Sequence, residues 1–187
     1  MELSKKYKII RLICLIIFII SCVILIIEAA TPGVNSANKS NAVSDAIASV
    51  INNVSEAITK KPKITNIDEF RAFIRKLVGH YGAFLFMSIF ATLTGLLYYV
   101  RKEWKFFWIK VIIIIGYGFL FAIITELIQL AVPGRAGNFK DVFIDFSGYM
   151  TSSLVIIIIF FIINYKKTKK QIVEDNIKFD KEKEEVE

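Results

Sequence analysis

The chain has 187 residues, of which 55% are hydrophobic, and its mean hydropathy is +0.56. This composition excludes an ordinary soluble globular protein, is typical of a membrane protein, and leaves no room for a separate large soluble domain. The net charge of +7 does not indicate nucleic-acid binding, because most of the positive excess lies in short clusters beside apolar segments. No nucleic acid is therefore expected as a partner.

Apolar segments predict an all-α integral membrane protein with four transmembrane helices, at about residues 9–27, 78–100, 107–131 and 141–164. A cleaved signal peptide is the competing interpretation of the first segment. The apolar run continues past Ile20-Ser21-Cys22, and no small-x-small cleavage site precedes a polar segment. We therefore interpret the first segment as a span.

Residues 28–70 are rich in Thr, Pro, Gly, Asn, Ser and Lys and predict a loop outside the bilayer. Within this loop, Thr65 followed by Asp68 and Glu69 predicts a helix start, since acidic groups suit the first turn of a helix. Apolar residues at helical spacing also predict one amphipathic helix after Ser40, which lies on the membrane or on the other helices. These apolar residues are Val43, Ile47, Val50, Val54 and Ile58.

Basic clusters near residues 5–11, 101–105 and 166–170 orient the chain, because short cytoplasmic segments carry an excess of Lys and Arg. With four spans, both termini are then cytoplasmic and the helical loop between spans one and two is extracytoplasmic. The predicted parts are a basic N-terminus with the first span (1–27), the extracytoplasmic loop (28–70), a three-helix membrane domain (71–164) and a charged cytoplasmic tail (165–187).

Ionisable and polar residues interrupt the apolar segments at a level that the predicted orientation places in the outer leaflet. Ionisable groups at such depth are costly and usually mark a functional site. Glu126 and Gln129 are i,i+3 at the end of span three, and Asp141 and Asp145 share one face of span four. The six candidate residues are His80, Glu126, Gln129, Arg135, Asp141 and Asp145.

Two interpretations of this cluster stay open. It either forms a functional cavity that is open to the outside, or it is a polar network that holds the helices together. Glu126 is expected to be protonated or paired with Arg135 or His80, and Asp141 equally suits a helix cap. The cysteines Cys14 and Cys22, eight residues apart on one helix, are too distant to bridge and are expected to face lipid or pack. No metal-binding or cofactor motif is present, so neither is predicted from motifs.

At these residues the chain resembles the VanZ-like membrane proteins. The similar elements cover residues 71–163, and Thr125 replaces an expected Asp before the Glu. The resemblance implies a bacterial envelope protein in the cytoplasmic membrane, from a family whose founding member is linked to low-level resistance to the glycopeptide teicoplanin. The matching elements are Arg75/Lys76 with His80, Glu126-Leu127-Ile128-Gln129, Pro133-Gly134-Arg135, and Asp141 and Asp145 with Gly148.

Three functional hypotheses follow, and all leave the oligomeric state open. In the first, the protein recognises an envelope lipid or lipid-linked cell-wall precursor, with Arg135 on an anionic head group and Glu126 and Asp145 orienting it or exchanging protons. In the second, it is an intramembrane enzyme acting on a lipid phosphate, whose carboxylates are acid/base groups or hold Mg²⁺ or Mn²⁺. No nucleophile motif or P-loop favours this second hypothesis. The third is an accessory structural protein.

Overall fold

The computed structural model describes residues 5–97, 104–135 and 137–184. Helices account for almost all of this described part of the chain, which contains no β-strand. The elements are α1 (Lys5–Ala30), α2 (Gly33–Thr59), α3 (Ile67–Ile74), a π-helical segment (Arg75–Gly82), α4 (Ala83–Leu97), α5 (Trp104–Leu130) and α6 (Phe139–Glu184).

Four helical stretches are long and apolar enough to cross a membrane, as predicted: Lys6–Ala30, Ile67–Leu97, Phe106–Leu130 and Phe139–Lys167. An α-helix suits this role because it satisfies its backbone hydrogen bonds internally, where no water is available. The four-span, all-helical fold class is confirmed. The orientation of the termini stays a prediction, and Arg101 and Lys102 of the middle basic cluster lie outside the described residues.

The second span begins earlier than predicted and is not a uniform α-helix. It starts after Asn66, whose side chain accepts a hydrogen bond from the backbone N–H of Glu69 at 3.3 Å. The expected cap at Thr65 was therefore wrong by one residue, although Asp68 does lie in the first turn. α3 leads directly into the π-helical segment, so the helix that was predicted to start near Thr65 is continuous with the span. A π-helical stretch breaks the 3.6-residue periodicity on which sequence patterns depend, which explains why it was not predicted.

α2 confirms a helix in the loop but corrects its start and its buried face. It begins directly after Pro32 rather than after Ser40. Its buried residues are Ser44 and Ala48, whereas Val43, Val50 and Val54 are exposed. Most of the apolar stripe is therefore exposed, whereas Ile47 is half-buried and Val43 lines a cavity shared with other helices. Contact of the stripe with the membrane surface stays a prediction.

The buried core joins α4, α5 and the first part of α6 through small and hydroxyl-bearing residues. Ser88 bonds Ser152, and Thr92 Oγ1 lies 2.9 Å from Ser153 Oγ. The Tyr149 hydroxyl, on a fully buried side chain, donates to the carbonyl of Ile114 at 3.0 Å. Such interhelical hydrogen bonds hold helices together where the lipid supplies no hydrophobic driving force.

The connection between α1 and α2 contacts the turn between α5 and α6. The backbone N–H of Gly33 donates to the Pro133 carbonyl at 3.2 Å, and a Cβ on Gly33 would come 1.9 Å from the Gly134 carbonyl oxygen. Only glycine fits this approach. The α1–α2 connection therefore lies directly on the α5–α6 turn, which borders the candidate site.

The chain divides into a compact unit that ends at Ser153 and a second unit from Leu154 onward. The second unit is the C-terminal part of α6, where the rings of Phe161 and Tyr165 stack at 6.4 Å. All of the candidate-site residues described below belong to the first unit.

Candidate functional site

Three elements place one ionisable side chain each at a common point. His80 comes from the π-helical segment, Glu126 from α5 and Asp145 from α6, and one nitrogen or oxygen atom of each lies within 4.8 Å of the others. His80 Nδ1 and Asp145 Oδ1 are hydrogen-bonded at 3.0 Å. We call these residues the polar triad. The structure thus brings together groups that sequence analysis placed at one membrane level.

The close approach of α6 to the π-helical segment explains why His80 reaches Asp145. Gly148 lies one turn beyond Asp145 on the same face of α6, and a Cβ there would come 2.2 Å from the Tyr81 carbonyl oxygen. Glycine therefore lets the two backbones touch. Gly148, which belongs to the matching elements of the resemblance, therefore has a packing role.

Glu126 is buried, with 4% of its surface exposed. Its Oε1 accepts a hydrogen bond from the backbone N–H of Asn138, just before α6, while its Oε2 has no hydrogen-bond partner. Of the two expected partners, His80 is close to Glu126, but Arg135 forms no ion pair with it within the described residues. The carboxylate instead satisfies an N–H at a helix start, which has no intrahelical acceptor.

Arg135 was expected to bind a carboxylate or a lipid phosphate. In the structure, part of its guanidinium instead contacts backbone carbonyls. Its Nε donates to the carbonyl of Thr31 at 3.2 Å, and its Nη2 donates to the carbonyl of Glu28. The turn before it depends on Gly134, which has a φ of +73°. Partial burial lowers the pKa of the Arg135 guanidinium from its ordinary value. Arg135 therefore fastens the α1–α2 connection as well as facing the site.

Asp141 and Gln129 flank the polar triad. Asp141 is half-buried in the first turn of α6, and its Oδ1 has no hydrogen-bond partner. The residue that caps α6 is Asn138, whose Oδ1 accepts from the backbone N–H of Lys140 at 3.0 Å, so the alternative of Asp141 as the cap was wrong. Gln129 is buried, with 8% of its surface exposed.

A cavity of about 370 Å³ opens beside the polar triad, and we call it the site cavity. Apolar side chains such as Leu25, Val78 and Phe84 form much of its wall. The polar wall contains His80 and Asp145 of the triad together with Gln129, Arg135, Arg75 and Lys39. Four of the six predicted site residues therefore line one cavity, Glu126 lies against His80 and Asp145, and Asp141 is one turn away.

The charges around the site cavity are not balanced within it. Lys39 forms an ion pair with Glu28 at 2.9 Å, and His80 bonds Asp145. Arg75 and Arg135 have no carboxylate within ion-pair distance in the described part of the chain. The polar wall of the site cavity therefore presents two guanidinium groups, neither of them within ion-pair distance of a carboxylate among the described residues, and this environment suits a bound anion.

Glu28 and Lys39 were not predicted to be site residues, and Arg75 was named only as part of the resemblance. Glu28 ends an apolar run and Lys39 lies in a polar loop, so neither is conspicuous by spacing. They reach the site because α2 folds back from α1 at Pro32. Only the abrupt charge at Glu28 after an apolar segment offered a signal.

Comparison with known proteins shows to which family the chain belongs. A family model described as VanZ/LLP1 matches residues 12–162. The chain belongs to the VanZ/LLP1 family. The match confirms the resemblance and also covers α1 from residue 12 and all of α2, so that every element around the site cavity lies within the VanZ/LLP1 region. Neither a search of curated proteins nor a search of solved structures found a match. Membership in this family supports the interpretation of the chain as a VanZ-like membrane protein of the cell envelope, from a family linked in general terms to antibiotic resistance.

Proposed function

We propose that this VanZ/LLP1-family protein binds an anionic envelope lipid or a lipid-linked cell-wall precursor in the site cavity, at the outer leaflet of the bacterial cytoplasmic membrane. In this proposal, binding alters surface targets and contributes to tolerance of teicoplanin-type glycopeptides. One observation carries the proposal: a single cavity combines apolar walls with two guanidinium groups, on Arg75 and Arg135, that have no carboxylate partner among the described residues.

The size and lining of the site cavity favour part of a lipid rather than a large polar molecule. Its volume of about 370 Å³ is near the lower end of the range of small-molecule sites and suits a head group with the start of a hydrocarbon chain. Leu25, Val78 and Phe84 would contact the chain. The proposed ligand therefore has a compact anionic end and an apolar body.

The two arginines suit a phosphate because a guanidinium presents paired N–H donors that match phosphate oxygens. Arg135 already donates through Nε and Nη2 to backbone carbonyls, which holds its orientation. Arg75 is exposed and has no carboxylate partner in the described part of the chain, so it is the more readily available donor. We assign the larger share of phosphate binding to Arg75, with Arg135 as an oriented second contact.

Replacement of Arg75 tests the proposal without disturbing the turn that Arg135 holds. We expect Arg75→Ala to weaken binding of phosphatidylglycerol or a polyprenyl phosphate by about 10- to 100-fold, since hydrogen bonds to charged groups contribute about 1.5–3 kcal/mol. Binding is measured by native mass spectrometry of the purified protein in detergent. Lys76→Ala is the matched control, because Lys76 is the exposed neighbour with the same charge but does not line the site cavity.

Equal binding by wild type and Arg75→Ala would contradict the proposal. Equal losses in the two variants would contradict it as well, because they would assign the effect to general surface charge. The resistance component is tested in a strain that lacks the protein and is complemented with wild type or either variant, at membrane levels matched by blotting. Only Arg75→Ala is expected to fail to restore teicoplanin tolerance.

A second candidate function is an intramembrane enzyme acting on a lipid phosphate. The hydrogen bond between His80 and Asp145 favours it, because both residues line the cavity that contains Arg75 and a His–carboxylate pair can transfer protons. Mass spectrometry of the lipid after incubation separates the two functions. A changed head group with wild type, absent with His80→Ala, supports the enzyme, whereas unchanged lipid supports binding alone.

A further inference from the structure

We infer that the polar triad of His80, Glu126 and Asp145 binds a divalent first-row transition-metal cation. The inference is independent of lipid binding and depends only on the geometry and burial of the three side chains. They bring one imidazole and two carboxylates to a common point from three separate elements.

The spacing of the ligand atoms is close to that of a coordination site. Ligand atoms that lie roughly 2.1 Å from a metal ion and 90° apart are roughly 3.0 Å from each other, and opposite ligands are roughly 4.2 Å apart. His80 Nδ1 and Asp145 Oδ1 are separated by 3.0 Å. The ligand atoms of all three residues lie within 4.8 Å of one another, so only small movements would bring them around one ion.

Unsatisfied oxygens provide the second, independent observation. Glu126 is 4% exposed and Asp145 is 1% exposed, and each has one carboxylate oxygen, Oε2 and Oδ2 respectively, without a hydrogen-bond partner. While it is ionised, a buried carboxylate oxygen without a partner is strongly unfavourable, and a bound cation compensates such a group. Arg135 forms no hydrogen bond to these two oxygens, because its observed hydrogen bonds go to the backbone carbonyls of Glu28 and Thr31.

A His80–Asp145 ion pair by itself would leave these oxygens uncompensated. That pair uses Asp145 Oδ1 but not Oδ2, and it leaves Glu126 Oε2 without a partner. A divalent cation in the triad compensates both carboxylates. His80 and Asp145 also line the site cavity, so the remaining coordination positions would be accessible from it.

The donor set indicates the class of metal. Imidazole suits Zn²⁺ and other later transition metals, while carboxylates suit harder cations such as Mn²⁺. One histidine with two carboxylates therefore favours Mn²⁺, Fe²⁺ or Zn²⁺ over Ca²⁺, Mg²⁺ and copper(I). Mn²⁺ is the most practical probe, because its free and bound forms are distinguished by electron paramagnetic resonance.

The experiment titrates Mn²⁺ into purified full-length protein in detergent after treatment with EDTA and dialysis. We expect one saturable Mn²⁺ per chain in wild type and in Glu56→Gln, a control at an exposed carboxylate on α2. In His80→Ala and Glu126→Gln, which replace ligands, affinity is expected to fall by about 100-fold or more. Zn²⁺ is expected to compete with Mn²⁺ in wild type.

A measurement on wild type alone guards against variants that fail to fold. Saturating Mn²⁺ or Zn²⁺ is expected to raise the thermal unfolding temperature of the wild-type protein, since a ligand that binds only the folded state stabilises it. The absence of saturable binding and of this shift with both metals, or wild-type binding by folded His80→Ala, would overturn the inference. Lipid binding by wild type in EDTA is measured separately, so lipid and metal binding fail or succeed independently.

Discussion

At the scale of single residues, glycine determines how closely the helices approach the site. A Cβ on Gly148 would lie 2.2 Å from the Tyr81 carbonyl oxygen, and one on Gly118 would lie 2.3 Å from the ring of Tyr149. Gly116, on the same span as Gly118, has open space around it. Gly148, one helical turn after Asp145, therefore has a specific role, because the close approach that it permits lets Asp145 reach His80.

Gly148→Ala is expected to destabilise the protein, because the neighbouring atom belongs to backbone and cannot rotate away. Overpacking of this kind costs about 1–3 kcal/mol of the free energy of unfolding. Gly116→Ala is the matched control and is expected to leave stability unchanged or to raise it by up to about 1 kcal/mol. Thermal unfolding of both variants in detergent checks this. Equal stability of the two variants would mean that α6 does not contact the π-helical segment as described.

At the scale of elements, α2 is held by specific polar contacts rather than by its apolar stripe. Arg71 Nε and Nη2 donate to the two carboxylate oxygens of Asp45 at 2.8 and 2.7 Å, which joins the second span to α2. Asn52 donates to the Ile64 carbonyl at 3.0 Å and accepts from its N–H at 2.8 Å. Because α2 lines the site cavity through Lys39, these contacts also position part of the site.

The Asp45–Arg71 contact predicts a pH dependence. Hydrogen bonds from Arg71 lower the pKa of Asp45 below its value of about 3.9 in the unfolded chain. The stabilisation that the ionised Asp45 provides through Arg71 is therefore fully present above about pH 4, and it is lost as the pH falls through the folded-state pKa of Asp45. In the Asp45→Asn variant at pH 7, we expect faster amide hydrogen exchange in residues 60–66, which connect α2 to α3. Wild type is expected to show the same increase upon acidification, after correction for intrinsic exchange rates.

Asp68→Asn is the control for this prediction. Asp68 also pairs with Arg71, at 3.2 Å, but it lies within the same helix and its side chain is 86% exposed. Its loss should leave exchange in residues 60–66 unchanged, since such surface pairs contribute little. If Asp68→Asn accelerates exchange as much as Asp45→Asn, the contact between α2 and the second span is not what orders this loop.

At the scale of the whole molecule, the direction of insertion decides where the site cavity opens. The basic segments near both termini predict that both are cytoplasmic, which places α2 and the polar triad on the outer side. A site for an outer-leaflet lipid requires this orientation. The opposite orientation would expose the site cavity to cytoplasmic ligands instead.

Cysteine labelling with a membrane-impermeant maleimide tests the orientation. Ser49→Cys, at an exposed position on α2, is expected to react in intact cells, whereas Lys169→Cys on α6 should react only after permeabilisation. Wild type provides the background, since its Cys14 is buried and its Cys22 is half-buried within the first span. The reverse pattern would show that the chain is inserted the other way.

The sequence alone was sufficient to predict the four spans and a helix between the first and second spans, and it drew attention to the polar residues on α5 and α6. Apolar length is a strong signal because a bilayer demands about 20 apolar residues for each helix, and polar residues within such a run are conspicuous for the same reason. Spacing along a single helix also predicted that Asp141 and Asp145 share one face of α6, on which Asp145 is buried and Asp141 is half-buried.

Only the tertiary structure decided the partners of these residues. Arg135 donates to the carbonyl of Thr31, 104 positions earlier, and Asp145 bonds His80, 65 positions earlier. The site cavity itself exists because the α1–α2 connection lies on the α5–α6 turn and the π-helical segment touches Gly148. Local periodicity reports which face of a helix is apolar, but contacts between distant segments depend on how the helices pack, and this packing brings separate polar residues to a common site.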